Sequence, residues 1–544
     1  MCSRSPATDC QSRTCSATPP PRCGLSRPFN YLREGTVEDR FDVLAAGTRT
    51  FLNPLIDLPF YFCTTKLPAK ACGFTAGFVQ GLNYVGAVVV AALLLAEPET
   101  KRPLSMRLPW ILVTAGALGA TSLGSLGGGA DDNVVSLFFL VSLFWICREA
   151  ERVGISFPRS VAWILAAGLV VGMGCGLRLT LASFGVAIVL APVFYPVSPW
   201  RRLLLVGFCG LGTAFGVLVT AGLHMLRMYR TFGNPVFPFL SAYFNSPYSA
   251  FIDGRDPRFS PANLIEALFY PLVFAFDWTR ISDLQFRDFR IPALFVLFLL
   301  CSITWMWRLV RRRGTNCNVR NSSYTPPRVR VFFATLLVAY IVWLTQPSSA
   351  YRYIFPIELL SFVALALMLR YLFVGRVQFV ALALLAAVII PTTSAVVGRH
   401  LLWDGKDYIS VKLPSSPRLQ TGAIVLLAGT APQDVVTYPI PAFPPSVRFL
   451  GVDVIDRPIF AAGESIGSAP PASEADLGPF GPYMRTLITA HNGQVLGMFT
   501  PQSRERAIAA FARYGLHYDS ALCGQVISNV AATSPLQLCE LSRM

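Results

Sequence analysis

Charge is what this chain has least of. Only 14% of its 544 residues are Asp, Glu, Lys or Arg, 53% are hydrophobic and the mean hydropathy is +0.51, a balance too apolar for an ordinary soluble domain. Acidic residues are scarcer than basic ones, 30 against 46, giving a net charge of +16. In a soluble chain that excess would point to nucleic acid. In one this apolar it points to basic loops on the cytoplasmic side of a membrane, or to a site for an anionic lipid or phosphate, and no nucleic-acid partner is implied. The 13 cysteines contain no Cys-x-x-Cys pair, which removes zinc-ribbon and thioredoxin-like readings. Histidine occurs four times; His491 and His517 lack metal-ligand spacing and read as surface residues. Neither a metal nor a cofactor is called for.

Long hydrophobic runs are what the chain has in abundance. A bilayer core of roughly 30 Å needs about 20 apolar residues per helix. Ten stretches qualify as candidates: Ala71 to Ala96, Pro109 to Gly128, Val134 to Cys147, Ser160 to Gly176, Leu181 to Tyr195, Leu203 to His224, Ile291 to Arg308, Val331 to Thr345, Ile354 to Phe373 and Val377 to Val397. The fourth and fifth can also be read as one helix broken around Gly174-Cys-Gly-Leu-Arg178. The expected fold is therefore an all-α polytopic membrane protein of about ten transmembrane helices.

Alternate loops differ in basic content, and that sets the sides. Lys101, Arg102 and Arg107; Arg148, Arg152 and Arg159; Arg201 and Arg202; the run Arg308 to Arg330; and Arg370 with Arg376 mark cytoplasmic loops. The outer side then holds Ala130 to Asn133, Leu177 to Thr180, Gln346 to Tyr353, the long segment 225–290 and everything after Gly398. Four regions follow: 1–28, a polar, Pro/Ser/Cys-rich segment with no signal-like apolar core; 29–70, an outer loop; 71–398, the transmembrane domain; and 399–544. In the last region "GAIVLLAG" and "GQVLGMF" read as buried strands and Ser503 to Gly515 as an amphipathic helix, a small α/β extracytoplasmic domain. Cys523 and Cys539 there either pair, if the domain faces an oxidising compartment, or remain free thiols.

The polar residues hardest to explain by packing gather outside. Phe51 to Phe62 is an interfacial stretch broken by Pro54 and Pro59, with Asn53 and Asp57 on its polar side. Asp131, Asp132 and Asn133 open a helix as a cap and acidic first turn should, and paired carboxylates there would also serve a base or metal role. Arg178 and Arg352 lie at outer ends of spans, where a cation either snorkels or meets an anion; beside aromatics, their forked guanidinium groups suit a phosphate. The long loop presents Asn234, Asn245, Asp253, Arg255, Asp256 and Arg258 between stiffening prolines. It ends in Ala267 to Phe276, too short to span and expected to be re-entrant or interfacial.

Together Phe51-Leu-Asn-Pro-Leu-Ile-Asp-Leu-Pro59 through Phe62, Gly174-Cys-Gly-Leu-Arg-Leu-Thr180, Gly233-Asn-Pro-Val-Phe-Pro-Phe239 and Tyr351-Arg-Tyr353 resemble bacterial integral-membrane glycosyltransferases of the GT-C type. The resemblance runs from about Phe29 to Arg399. It implies a lipid-linked sugar donor, usually a polyprenyl phosphate sugar, used on the periplasmic side of the inner membrane, and a glycan or lipid acceptor. A carboxylate of the first outer loop would be the base. Asp42 fits that position best, with Asp39 and Asp57 as the other carboxylates, and Arg178, Arg352, Arg255 or Arg258 would meet the departing phosphate. In the family that loop follows an opening helix, which is expected ahead of Phe29 and is missing from this reading frame. The chain is then an inactive, truncated product or one whose true start differs.

Two rivals remain. A transporter would suit the broken helices, but the spans hold almost no acidic residue at mid-depth and show no internal repeat. A non-catalytic envelope protein is the other.

Overall fold

A computed structural model describes residues 53–57, 69–95, 103–125, 132–154, 156–236, 240–245, 259–282, 286–314, 326–346, 349–395, 411–428, 439, 442–444, 446–452, 480–528 and 535–543. The chain is mostly helical, with a sheet near its C-terminus. The helices are α1 (Ala69–Leu95), α2 (Pro103–Ala117), α3 (Ala120–Ser125), α4 (Asp132–Arg152), α5 (Phe157–Leu177), α6 (Ala182–Leu190), α7 (Pro199–Phe232), α8 (Ser241–Phe244), α9 (Leu264–Phe276), α10 (Arg290–Gly314), α11 (Pro327–Leu344), α12 (Phe355–Leu359), α13 (Ser361–Leu372) and α14 (Val377–Thr392).

Each apolar stretch named above coincides largely with helix among the described residues. Among the described residues four helical segments are long and apolar enough to cross a membrane, Phe157–Leu177, Pro199–Arg230, Arg290–Arg308 and Pro327–Leu344. A fifth is counted if Tyr351–Leu359 and Ser361–Leu372, bent by 55° at their junction, form one span. The other expected stretches form shorter or more charged helices among the described residues, in three cases for identifiable reasons. The second stretch is interrupted between α2 and α3 at residues 118–119, and α4 ends in the charged turn Arg148 to Arg152. Between Leu179 and Phe194 the helical path is only 16 residues and includes two 3-10 turns.

Small residues bring α5 and α7 into backbone contact. A Cβ added at Gly168 would lie 2.1 Å from the Cys209 carbonyl oxygen, one at Gly172 2.1 Å from that of Thr213, and one at Gly176 2.2 Å from Thr220 Oγ1. From the other side, Gly212 and Gly216 face the carbonyls of Leu165 and Leu169 at 2.3 and 2.2 Å. The numbers rise together along both helices, so α5 and α7 run parallel, with α6 returning between them. Glycine at every fourth position is what lets two apolar helices approach this closely, since lipid gives them no hydrophobic reason to associate.

More of the described arginines lie at one end of the bundle than at the other. There Arg328 of α11 donates to the Leu94 carbonyl at the end of α1, Arg308 of α10 lies over Tyr371 of α13 at 4.7 Å, and Arg201 of α7 over Phe157 of α5 at 5.2 Å. The other end is tied by backbone pairs between distant segments: Ser349 N to Phe259 O, Tyr351 N to Ile281 O, and the antiparallel pair β1 (Phe286–Arg287) with β2 (Ser394–Ala395).

The C-terminal unit is built on β3 (Val411–Lys412), β4 (Ile424–Leu427), β5 (Arg448–Gly451), β6 (Val495–Phe499), β7 (Leu516–Ser528) and β8 (Leu536–Arg543), with α15 (Phe480–Ala490) and α16 (Arg504–Ala512). The sheet order is β3-β7-β8-β6-β4-β5; β4 is parallel to both β5 and β6, and β8 is antiparallel to both β6 and β7. The two expected strands and the helix thus form, and Cys523 and Cys539 are disulfide-bonded across β7 and β8. Two of the sheet's strands, β4 and β6, are buried along their whole length, which explains why their sequences are continuous apolar runs rather than alternating ones.

Candidate functional site

The arginine-poor end of the bundle carries most of the polar side chains that lie deep in the protein. Asn53 precedes a 3-10 turn, Pro54–Asp57, because its Oδ1 accepts the Leu55 N–H at 3.1 Å while proline follows it. Its Nδ2 donates to the carbonyls of Gly176 at 2.9 Å and Thr220 at 2.7 Å. One buried amide therefore binds the segment Asn53–Asp57 to both α5 and α7, at a level where glycine leaves the carbonyls reachable. Arg178 follows two residues after Gly176. It breaks the chain between α5 and α6 with an extended backbone (φ −150°, ψ 114°), is buried, and donates from Nε to Thr180 Oγ1 at 3.1 Å. The Thr180 carbonyl in turn accepts from Gln346 Nε2 at 3.3 Å, which joins the loop after α11 to the loop after α5.

Arg352 belongs to the 3-10 turn Tyr351–Ile354; its guanidinium donates to Tyr353 Oη at 3.0 Å and covers the same ring at 5.0 Å. Asn234 is buried just beyond α7, whose final turn closes on Gly233 at φ 68°, and its Oδ1 accepts from Val236 N at 3.0 Å. Asp132 is the first residue of α4 and Asp57 the last of its 3-10 turn. Asp39, Asp42, Asp131, Arg255 and Arg258 lie outside the described residues, as do Asp253 and Asp256. Asn53, Arg178, Asn234 and Arg352 share the arginine-poor end.

A second polar cluster was not anticipated. Asp288 and Arg290, both fully buried, form an ion pair at 2.9 Å. Arg290 also donates to Thr393 Oγ1 and to the Ala115 carbonyl, at 2.8 and 3.0 Å, and Asp288 Oδ2 accepts from Ala120 N at 3.1 Å. Glu358, equally buried, accepts from Thr121 N, Ser122 N and Ser122 Oγ at 3.0, 2.8 and 2.6 Å. Two carboxylates thus satisfy the orphan amides that open α3. The break at 118–119 has its cause here: a Cβ at Gly119 would lie 2.1 Å from Glu358 Oε1 and one at Gly116 2.0 Å from the Leu359 carbonyl oxygen. The available signal was a set of ionisable residues inside or beside apolar runs, which is costly unless paired; nothing in their spacing told which would meet.

Chemically, this end offers fixed positive charge at a helix break, amide groups that order the loops around it, and a buried ion-pair cluster beside it. Comparison with models of protein families, with curated proteins and with solved structures finds no match to this chain.

Proposed function

We propose that the chain is a membrane glycosyltransferase of the GT-C type, transferring a sugar from a polyprenyl-phosphate donor to a cell-envelope acceptor on the outer face of a bacterial inner membrane. The observation that carries the reading is the pair of hydrogen bonds from Asn53: they hold the loop that ends in Asp57 against the end of α5, two residues from Arg178. A carboxylate-bearing loop and a buried guanidinium at one membrane face are the two halves such a reaction needs. In the reaction, the acceptor hydroxyl oxygen attacks the anomeric carbon and its proton passes to a carboxylate. The bond from that carbon to the donor phosphate oxygen breaks, and the electron pair leaves with the phosphate beside arginine. Asp42, Asp39 and Asp57 are the candidate bases, and Arg178 and Arg352, with Arg255 and Arg258, the candidate phosphate ligands. The disulfide of the C-terminal unit supports an oxidising, extracytoplasmic side for that unit.

The test is transfer of radiolabelled sugar from a polyprenyl phosphate sugar to membrane acceptor by the chain in proteoliposomes. Arg178→Gln is expected to lower turnover about a hundredfold, the scale of removing one transition-state charge partner, and Arg178→Lys to restore part of it. Equal turnover in all three forms would remove the phosphate role.

Asp288, Glu358 and the two interrupted helices favour a second reading, a multi-pass transporter, because broken helices and ionisable groups within apolar spans are features of ion and substrate pathways. Counterflow of a labelled solute without any sugar transfer would select it.

A further inference from the structure

Helix α9 raises a question that its buried contacts do not answer. Its inner face packs well: Tyr270 and Phe274 stack against Trp343 at 6.2 and 6.1 Å, Phe274 meets Tyr351 at 5.2 Å, and Tyr270 Oη donates to the Arg280 carbonyl at 2.9 Å. Its outer face is no less apolar. Leu264, Ile265 and Phe276 are 86%, 74% and 85% exposed, and Leu268 and Phe269 are exposed between them. At about 100° per residue these five, with Leu272 and Ala275, form one stripe without a polar side chain. A patch of this kind facing water is a liability for a soluble surface.

Two features limit what covers it. The helix has 13 residues, about 20 Å of rise, short of the roughly 30 Å of hydrocarbon. Both its ends are polar and exposed: Asn263 caps the start by accepting from Glu266 N at 2.9 Å, and Asp277 closes the end while accepting from Thr279 N at 3.0 Å. Glu266 further pairs with Arg280 at 2.6 Å. A re-entrant segment would carry one end into hydrocarbon; here both ends need water. Continuity gives the occupant. Phe269 packs on Phe295 of α10 at 6.3 Å, near the arginine-poor end, and α10 continues with exposed Val296, Phe298, Leu299, Leu300 and Ile303 along a span able to cross a membrane.

We propose that α9 lies flat at the arginine-poor membrane surface, with the Leu264–Ile265–Leu268–Phe269–Phe276 stripe seated on phospholipid at the boundary between headgroup and acyl chain. Its polar ends stay in the headgroup layer, and its inner face is held on the end of α11 through Trp343. The inference rests on the membrane reading of the chain and not on the enzyme reading.

The full chain would be reconstituted in phosphatidylcholine–phosphatidylglycerol vesicles carrying a phospholipid with a diazirine either next to the glycerol or at the acyl terminus, then photolysed, digested and mapped by mass spectrometry. The expected result is adducts on residues 264–276 with the glycerol-proximal probe and far fewer with the terminal probe, while residues 296–306 of α10 react with the terminal one. In Ile265→Glu the α9 adducts fall and the α10 adducts stay. Stronger α9 labelling by the terminal probe would overturn the flat placement, and absence of α9 adducts with α10 still labelled would overturn the lipid contact. Loss of labelling on both would overturn the membrane reading itself.

Discussion

Both amide protons of Asn53 are committed to backbone carbonyls of different helices, so this residue reports on how the segment Asn53–Asp57 is held. Asn53→Ala leaves the Gly176 and Thr220 carbonyls without that donor and is expected to cost about 1–3 kcal/mol. Asn53→Asp should cost more, because a carboxylate oxygen would then face two carbonyl oxygens. Thermal unfolding in detergent measures both, and an unchanged midpoint would mean that the loop contributes no stability through this contact. Arg290 is the sharper case. It is ion-paired with buried Asp288, so Arg290→Met strips that carboxylate of its cation, with an expected loss of roughly 3–5 kcal/mol. Adding Asp288→Leu should recover part of it, since one uncompensated charge is removed. A double-mutant cycle with no coupling would contradict the ion pair. The chain alone could not match either residue to its distant partners, because Asn53 reaches carbonyls 123 and 167 positions away and Arg290 reaches Thr393 and Ala115 at 103 and 175.

The α5–α7 contact belongs to elements rather than single side chains. Gly172→Ala puts a methyl 2.1 Å from the Thr213 carbonyl oxygen, where backbone must move, and about 1–3 kcal/mol of overpacking is expected. Gly210→Ala, on the partner helix α7 but with its nearest neighbour at 3.9 Å, should be neutral or slightly stabilising through helix propensity. If both variants melt alike, close packing is not what joins these helices. In the C-terminal sheet unit, burial holds the His491 imidazole below the usual histidine range, and Arg448 and Arg543 push the same way. A base whose folded value is depressed keeps its stability contribution above the unfolded value and loses it as pH falls. This unit should therefore weaken as pH falls through the ordinary histidine value of roughly 6.5. Proteolysis midpoints in urea, compared with His491→Gln, read that slope; an identical slope in the variant would assign it elsewhere.

Across the molecule, α7 is the connecting piece. Its 34 residues rise about 51 Å; Thr220 marks the level where α5 ends, and Met228, two turns on, is buried with Ile424, Leu426, Leu450 and Phe511 in the core of the sheet unit. The helix that seats Asn53 thereby also carries the disulfide-bonded unit at the arginine-poor end. If that end faces an oxidising compartment, a membrane-impermeant maleimide added to right-side-out vesicles should label Cys523, the partly exposed partner, only after an impermeant reductant, Cys539 being buried. Labelling without reductant would argue against the bond, and labelling that needs permeabilised vesicles against the sidedness.

Apolar runs and arginine spacing were enough to locate the helices, the two strands and the basic end, because hydrocarbon length and the cost of a buried charge act on each segment separately. They were not enough to count spans. The break between α2 and α3 comes from the Glu358 side chain and the Leu359 backbone crossing Gly119 and Gly116, and the bend after Leu359 lies at the same crossing. Nor did the chain announce that Asp288, Arg290 and Glu358 would share a cluster, or that Met228 would leave the bundle for another core. Those outcomes depend on which distant surfaces fit together, and close packing between segments hundreds of residues apart leaves no periodic trace in either one.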